Sequence, residues 1–367
     1  MLKILCVNEA SGSNLGDKAI FEGVRLILQH HGIINITQIQ LSFLSKSSLS
    51  KSLKSQNIYM WLKSKKILYM FYLHVKLFFF NLQRYKYVTN EIKNCDIVIF
   101  GGGSLIIDNN YVFPINLFFI SLICRLNKKK YCIAGVSTRK LSNKFSIFLL
   151  QCFIIKSEFV FVRDHKSIDL FVSQFGIIPK FIPDFALLVP QQQGTKNLTT
   201  LAINIMGLQS HGYFSCKNNY KKYILSIQRM IKKSNDYKIT LFTTGESSDL
   251  NALNEIFSLF ENNRKDDVNV CIPRDLDELL SIYRKNHIIF GTRLHSAILG
   301  LANGNKVICF CWDDKIEGFF KSFSFSKSLV YEDDDFFASL QNVCQSMNCF
   351  LKLYDNFIFK LKEIAFD

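Results

Sequence analysis

Proline is scarce, at 5 of 367 residues, which excludes a proline-rich linker or a collagen-like chain. The eleven cysteines form no CxxC pair; Cys309-x-Cys311, inside an apolar run, comes nearest. An odd count without paired spacing reads as core thiols in a reducing cytoplasm. Histidines and cysteines lack ligand spacing, and the acidic residues form no calcium loop, so no metal site is expected. GxGxxG, the P-loop and the GxSxG elbow are all missing, so neither NAD nor ATP is inferred. The longest apolar stretch, residues 111–124, has about fourteen residues and holds Pro114 and Asn116. A membrane span needs about twenty, so a buried helix is expected. An interfacial helix stays open there, and over residues 67–80 with His74 and Lys76. The first eight residues are too short and poorly flanked for a signal peptide and read as a strand.

What the chain has in excess is positive charge and phenylalanine: net +15, with 35 Phe. Such charge suits nucleic acid, an anionic membrane surface or a phosphorylated substrate. It also follows from an AT-rich coding sequence, which enriches Phe, Ile, Lys and Asn together. The basic residues are scattered, and Lys128-Lys129-Lys130 is the longest run. No basic and aromatic pattern of a nucleic-acid module is present, so no nucleic-acid partner is expected.

Short apolar runs alternate with amphipathic segments. Strands are predicted at 2–7, 34–41, 96–100, 131–136 and 159–163, then at 201–205, 238–243, 268–271, 287–290 and 306–311. Helices are predicted at 17–30, 142–155, 166–175, 220–233, 249–260, 275–284 and 294–302. Strand and helix alternating in two series predict an α/β protein with two Rossmann-like parallel-sheet domains facing a cleft. Pro183, Pro190, Gly194 and the Gln191-Gln192-Gln193 run place the boundary between them. The expected division is 1–185, 195–348 and a last helix at 349–367 able to pack on either domain. Residues 42–66, rich in Ser and Lys, read as a surface excursion.

Ligands of paired α/β domains bind at the carboxyl ends of the strands, so motifs there carry the functional signal. Asn14-Leu15-Gly16-Asp17 follows the first strand and opens a helix, a place for an anion or for a plain N-cap. Gly101-Gly102-Gly103-Ser104 follows the third; such a run holds a phosphate or sugar on main-chain amides, or serves tight packing. Arg163 either forks onto an anion or pairs with Asp164 at the surface, with Asp164 capping the next helix. Thr244-Gly245-Glu246 ends a strand of the second series. Gly291-Thr292-Arg293-Leu294-His295-Ser296 is the strongest local signal. Arg293 recognises a carboxylate or phosphate by two hydrogen bonds, and His295 suits proton transfer near neutral pH. Lys315 reads as a phosphate ligand and Trp312 as a sugar-stacking surface, or as a solvated turn and a core slot.

In order, NLGDKAI at 14–20, DIVIFGGGSL at 96–105, VRDHKS at 162–167, PDFAL at 183–187, TTGESSD at 243–249, GTRLHSAI at 291–298 and Trp312/Lys315/Gly318 resemble the polysaccharide pyruvyl transferase family. The resemblance implies a GT-B-like fold and transfer of pyruvate from phosphoenolpyruvate, as co-substrate, onto a sugar as a ketal. The product is a capsule, exopolysaccharide or cell-wall glycan, made in the cytoplasm or at the inner face of the membrane. The acceptor is a nucleotide sugar or a lipid-linked oligosaccharide. Under this reading His295 is the general acid and Arg293 holds the phosphate or carboxylate. Lys315 and Arg163 are secondary anion contacts, and Asp17 orients or deprotonates the acceptor hydroxyl. Asn14, Gly16, Gly102, Gly103, Ser104, Thr244, Gly245 and Glu246 complete the substrate-binding set. One departure stands out: Met206 occupies the place of a family Arg after the first strand of the second domain. A nucleotide-sugar glycosyltransferase and an inactive glycan-binding relative are the alternatives.

Overall fold

The computed structural model describes residues 2–10, 12–41, 86–108, 112–189, 196–208, 213–245, 247–258, 268–332, 334–338 and 351–366. The 42–66 and 67–80 stretches, the Gln191-Gln192-Gln193 run and Glu246 lie outside the described residues.

Six parallel strands form a first sheet: β1 (Lys3–Asn8), β2 (Asn35–Gln40), β3 (Ile97–Ile106), β4 (Lys130–Thr138), β5 (Val160–Val162) and β6 (Lys180–Phe181), in the order β2-β1-β3-β4-β5-β6. Six more form a second: β7 (Thr200–Asn204), β8 (Lys238–Phe242), β9 (Val268–Cys271), β10 (Ile288–Gly291), β11 (Lys306–Phe310) and β12 (Leu329–Val330), in the order β12-β11-β10-β7-β8-β9. Parallel neighbours need crossovers, and helices supply them. In the first lobe these are α1 (Leu15–His30), α2 (Val112–Leu126), α3 (Lys144–Ile154) and α4 (His165–Phe175). In the second they are α5 (Lys217–Lys233), α6 (Ser247–Ser258), α7 (Leu276–Lys285), α8 (Leu294–Ala302) and α9 (Asp314–Ser322). A last helix, α10 (Asp355–Phe366), follows.

The fold is therefore two Rossmann-like lobes, as the alternating pattern predicts. Strand order reverses between β1 and β3 in one sheet and between β7 and β10 in the other. Chain leaving such neighbouring strands diverges to opposite faces and opens a crevice at their carboxyl ends. The segments after β1, β3, β7 and β10 are those that carry the motifs.

Two details depart from the sequence reading, and a third concerns a choice it leaves open. The glycine run is not a loop after a finished strand: β3 continues through it to Ile106, with a register shift against β4 between Gly103 and Ile106. Gly102 and Gly103 both have φ near +84°, a conformation that favours glycine, so the kink needs them. The edge strands β6 and β12, of two residues each, carry too little periodicity to be read from sequence. The last helix packs on the first lobe, where Phe357 meets Phe159, Phe161 and Phe185.

Cys6, Cys95, Cys124, Cys132 and Cys309 are buried, and burial pushes their thiols up, to about 12 for Cys6 and about 11 for Cys95. They act as small hydrophobes. Cys216 is exposed. Among the described residues no helix is long and apolar enough to cross a membrane, and residues 112–126 form the partly buried helix α2 instead.

Candidate functional site

The second-lobe wall is built on β7 and β10. Asn204, buried at the end of β7, accepts from the Arg293 amide through Oδ1 at 3.0 Å, and its carbonyl accepts from the Thr292 hydroxyl at 2.8 Å. The two switch-point strands thus fix the backbone that carries Arg293. The Trp312 indole donates to the Thr292 carbonyl at 2.7 Å, tying in the segment after β11. Arg293 starts α8 in extended geometry, and its guanidinium makes two bonds to Asp249, Nε to Oδ2 at 2.7 Å and a terminal nitrogen to Oδ1 at 2.8 Å. Asp249 is fully buried, and the Gly207 amide also donates to it at 3.0 Å. The fork is held in one plane before any ligand arrives.

The first-lobe wall centres on Arg163. It is buried and pairs with Asp184, not with Asp164. Asp164 caps α4 by accepting from the Ser167 amide at 2.7 Å, so the surface-pair reading of Arg163 fails and the capping reading holds. Arg163 also donates to Ser137 Oγ at 3.0 Å and Ser104 Oγ at 3.3 Å, and its guanidinium lies 3.5 Å from His295 Nε2. Asp184 Oδ2 is 3.8 Å from the same His295 nitrogen. Burial by itself raises a carboxyl pKa. Here the Arg163 charge, with His295 close by, overcomes burial and holds Asp184 well below the usual carboxylate range.

Asp184 is fixed by its neighbour Phe185. That ring sits in a slot only glycine leaves: a Cβ at Gly135 would lie 2.6 Å from it, and one at Gly23 would overlap the Phe185 carbonyl. Tyr354 adds a hydrogen bond to the Asp184 carbonyl at 2.8 Å, so the chain just before α10 braces the carboxylate from behind.

The N-terminus of α1 closes the site from the first lobe. Asn14 caps the helix by accepting from the Gly16 amide at 2.9 Å. Gly16 lies against the His295 ring, so a Cβ there would overlap the imidazole. The Leu15 amide donates to the Thr244 carbonyl at 3.0 Å, and Gly245, with φ near +100°, packs on the Ser13 carbonyl. Gly245 thus seats one lobe on the other. Asp17 points into the space between. Burial raises its pKa, against the pull of His295, Arg163 and Lys315.

The lobes enclose a cavity of about 340 Å³ lined by Asn14, Asp17, Gly102, Gly103, Ser104, Arg163, Thr244, Arg293, His295 and Lys315, all singled out in the sequence. Gly16 stands behind His295. Met206 also lines the cavity, as do the sequence-unmarked Glu9, Leu105, Phe113 and Arg139. Arg139 follows β4 and bridges the lobes through Asp313, whose other oxygen caps α9 by accepting from the Lys315 amide at 2.9 Å. Lys315 sits 5.8 Å from the Trp312 ring centre. Among the described residues no carboxylate lies within 4.0 Å of its ammonium. Burial lowers its pKa, partly offset by Asp313 and reinforced by three arginines. A cavity with one uncommitted cation, two braced arginine forks and a histidine is arranged for an anion with more than one charged end. No group of three metal-ligating side chains occurs among the described residues.

Solved structures share the architecture. UDP-GlcNAc 2-epimerase from Neisseria meningitidis, bound to UDP-GlcNAc, is 14% identical, with 99% of this chain and 100% of that chain covered and a TM-score of 0.53. UDP-GlcNAc 2-epimerase from Methanocaldococcus jannaschii is 12% identical, with 99% of each chain covered and a TM-score of 0.53. A trehalose-6-phosphate synthase is 11% identical, covering 99% of this chain and 95% of that one at a TM-score of 0.52. At such identities the likeness establishes the GT-B-like fold alone. No curated protein matches the chain in sequence. The family model for polysaccharide pyruvyl transferase matches residues 14–314, from the α1 cap to the start of α9. Arg163, Arg293 and His295 fall inside that span and Lys315 lies one residue beyond it; the chain belongs to the polysaccharide pyruvyl transferase family.

Proposed function

We propose that the protein transfers the pyruvyl group of phosphoenolpyruvate onto two hydroxyls of a sugar, as a ketal, during synthesis of a surface polysaccharide at the cytoplasmic side of the membrane. The observation that carries this reading is the convergence of Arg163, Arg293, Lys315 and His295 on one cavity. Phosphoenolpyruvate bears a carboxylate and a phosphate ester on the same carbon, which matches several cations around a small volume.

His295 is the general acid in this account. It delivers a proton to C3 of the enol, turning CH2 into CH3, and positive charge develops at C2. A sugar hydroxyl adds to C2 and loses its proton to Asp17, a carboxyl that burial has shifted toward proton acceptance. The C2–O bond to phosphate then breaks, Arg293 and Lys315 hold the departing phosphate, and a second hydroxyl closes the ketal on C2 as its proton passes to the His295 imidazole that gave one up. One C–O bond is lost, two are made, and inorganic phosphate leaves. Arg163 and Asp184 orient the His295 ring rather than touch the reacting atoms.

We assign the acceptor to the lobe of residues 1–185 and the donor to the lobe of 195–348. Gly102, Gly103 and Ser104 on one side and Thr244 on the other mark the two halves of the cavity wall. Met206 leaves an apolar spot where the family resemblance implies an arginine, and Arg139, reaching the same cavity from β4, supplies the compensating cation.

A second reading, an inactive glycan-binding relative, draws on Met206 alone. Phosphate release from phosphoenolpyruvate separates the two, assayed with UDP-hexoses and with lipid-linked oligosaccharides as acceptors. Acceptor-dependent release that falls by about 10²–10⁴-fold in His295→Asn supports transfer. Glycan binding without release under any pairing supports the inactive relative. Transfer of the UDP-hexose sugar itself, indifferent to phosphoenolpyruvate, points to a glycosyltransferase.

A further inference from the structure

We infer that the outer face of α2 and α3 docks the protein on an anionic lipid bilayer. The two helices pack side by side over the first sheet. Leu117, Ile120, Ile123 and Cys124 of α2, with Leu150, Phe153 and Ile154 of α3, fill the core beneath. A surface helix of a soluble lobe is normally polar on its other face. These two are not. On α2, Ile115, Phe118 and Leu122 are only half-buried and Leu126 is 67% exposed, one stripe at helical spacing. On α3, Phe148 is 58% exposed, and Ile155, just past its end, is 54% exposed, two turns apart on one side.

Charge names the occupant. Neither α2 nor α3 contains a single Asp or Glu. Exposed Arg125, Lys128, Lys144 and Lys156 stand at the ends of the two helices. Apolar residues flanked by cations, with no carboxylate between them, match an anionic interface. The apolar part enters the acyl boundary while the cations meet the headgroups. A protein partner or a second copy of the chain would require acidic patches to meet these cations. The orientation is also coherent: Phe113, in the first turn of α2, lines the cavity, so the docked face adjoins the cavity rim. This inference stands apart from the pyruvyl-transfer reading.

Flotation of the full-length protein tests it, with phosphatidylcholine vesicles with and without phosphatidylglycerol. The wild type floats with the anionic vesicles, and binding to the neutral ones is weaker by about tenfold or more. Lys144→Glu/Lys156→Glu removes that selectivity. Phe148→Ser/Ile155→Ser lowers binding to the anionic vesicles while leaving the melting temperature and phosphoenolpyruvate binding unchanged, because both side chains face solvent. Wild-type protein that stays at the bottom of the gradient with both vesicle types overturns the inference. So does equal flotation of all three proteins. A concentration-dependent dimer in sedimentation that Phe148→Ser/Ile155→Ser abolishes, without lipid binding, assigns the face to self-association instead.

Discussion

Gly16, at the start of α1 in the first lobe, lies against the ring of His295 from the second lobe, with no room between them for a methyl group. A Cβ on Gly16 would fall 2.6 Å from the His295 Cβ and overlap the ring itself. His295, the proposed general acid, is therefore positioned by glycine across the interface, with Arg163 and Asp184 near its Nε2.

The first prediction is that Gly16→Ala displaces His295 while α1 persists, since alanine is the better helix residue. A misplacement of about an ångström costs roughly a hundredfold in turnover. Steady-state kinetics should show the loss in kcat. Wild-type kcat in a folded Gly16→Ala protein would mean that His295 does not act from this position.

Asp249 is fully buried and pairs with Arg293, which keeps an edge open to the cavity, and breaking the pair strands that charge. Asp249→Asn should destabilise the protein by about 3–5 kcal/mol in denaturant titration. Arg293→Lys keeps the charge but loses the planar fork, so KM for phosphoenolpyruvate should rise by about tenfold or more. A Lys variant with unchanged KM would remove Arg293 from donor binding.

Asp184 links the site to acid stability. Its folded pKa lies below its unfolded value, so its contribution is complete above about 4 and is lost as pH falls toward the folded pKa. The stability gap between wild type and Asp184→Asn should be flat from neutral pH down to about 4, then shrink. A gap that already narrows between pH 7 and pH 5 would contradict the pairing.

Lys315 gives the opposite, alkaline signature. Burial lowers its pKa from 10.5, and a bound phosphate restores the ammonium. Affinity for phosphoenolpyruvate should weaken at a pH below 10.5 as Lys315 loses its proton, with proton uptake on binding in that range. Calorimetry in two buffers of different ionisation enthalpy reads this directly, and Lys315→Met should abolish it.

The sequence carried most of the scaffold because the central strands are short apolar runs bounded by polar residues, and α8 ends where its apolar spacing stops. It carried the cavity residues that sit in patterned segments, such as Arg293 and His295 at a helix start. Their carboxylate partners were illegible. Asp184 lies 21 residues from Arg163 and Asp249 lies 44 from Arg293, and no local period links them. Arg139 was missed for the same reason: Ser137-Thr138-Arg139-Lys140 reads as an ordinary polar strand end, and only the closing of the lobes brings it to Asp313. The glycine run was visible as unusual, but its reason was not. Ile20 from α1 and the Ala134 carbonyl from β4 occupy the space that side chains at Gly102 and Gly101 would need.

The most direct test of the account is a thermal-shift titration with phosphoenolpyruvate on wild type and Arg293→Ala. Binding to the folded state alone stabilises by RT ln(1 + [L]/Kd), about 2.7 kcal/mol at a hundredfold excess over Kd. The account predicts a saturable rise in Tm for the wild type and none for the variant. A folded wild type that gives no shift, or an equal shift in Arg293→Ala, would contradict a phosphoenolpyruvate site built on Arg293.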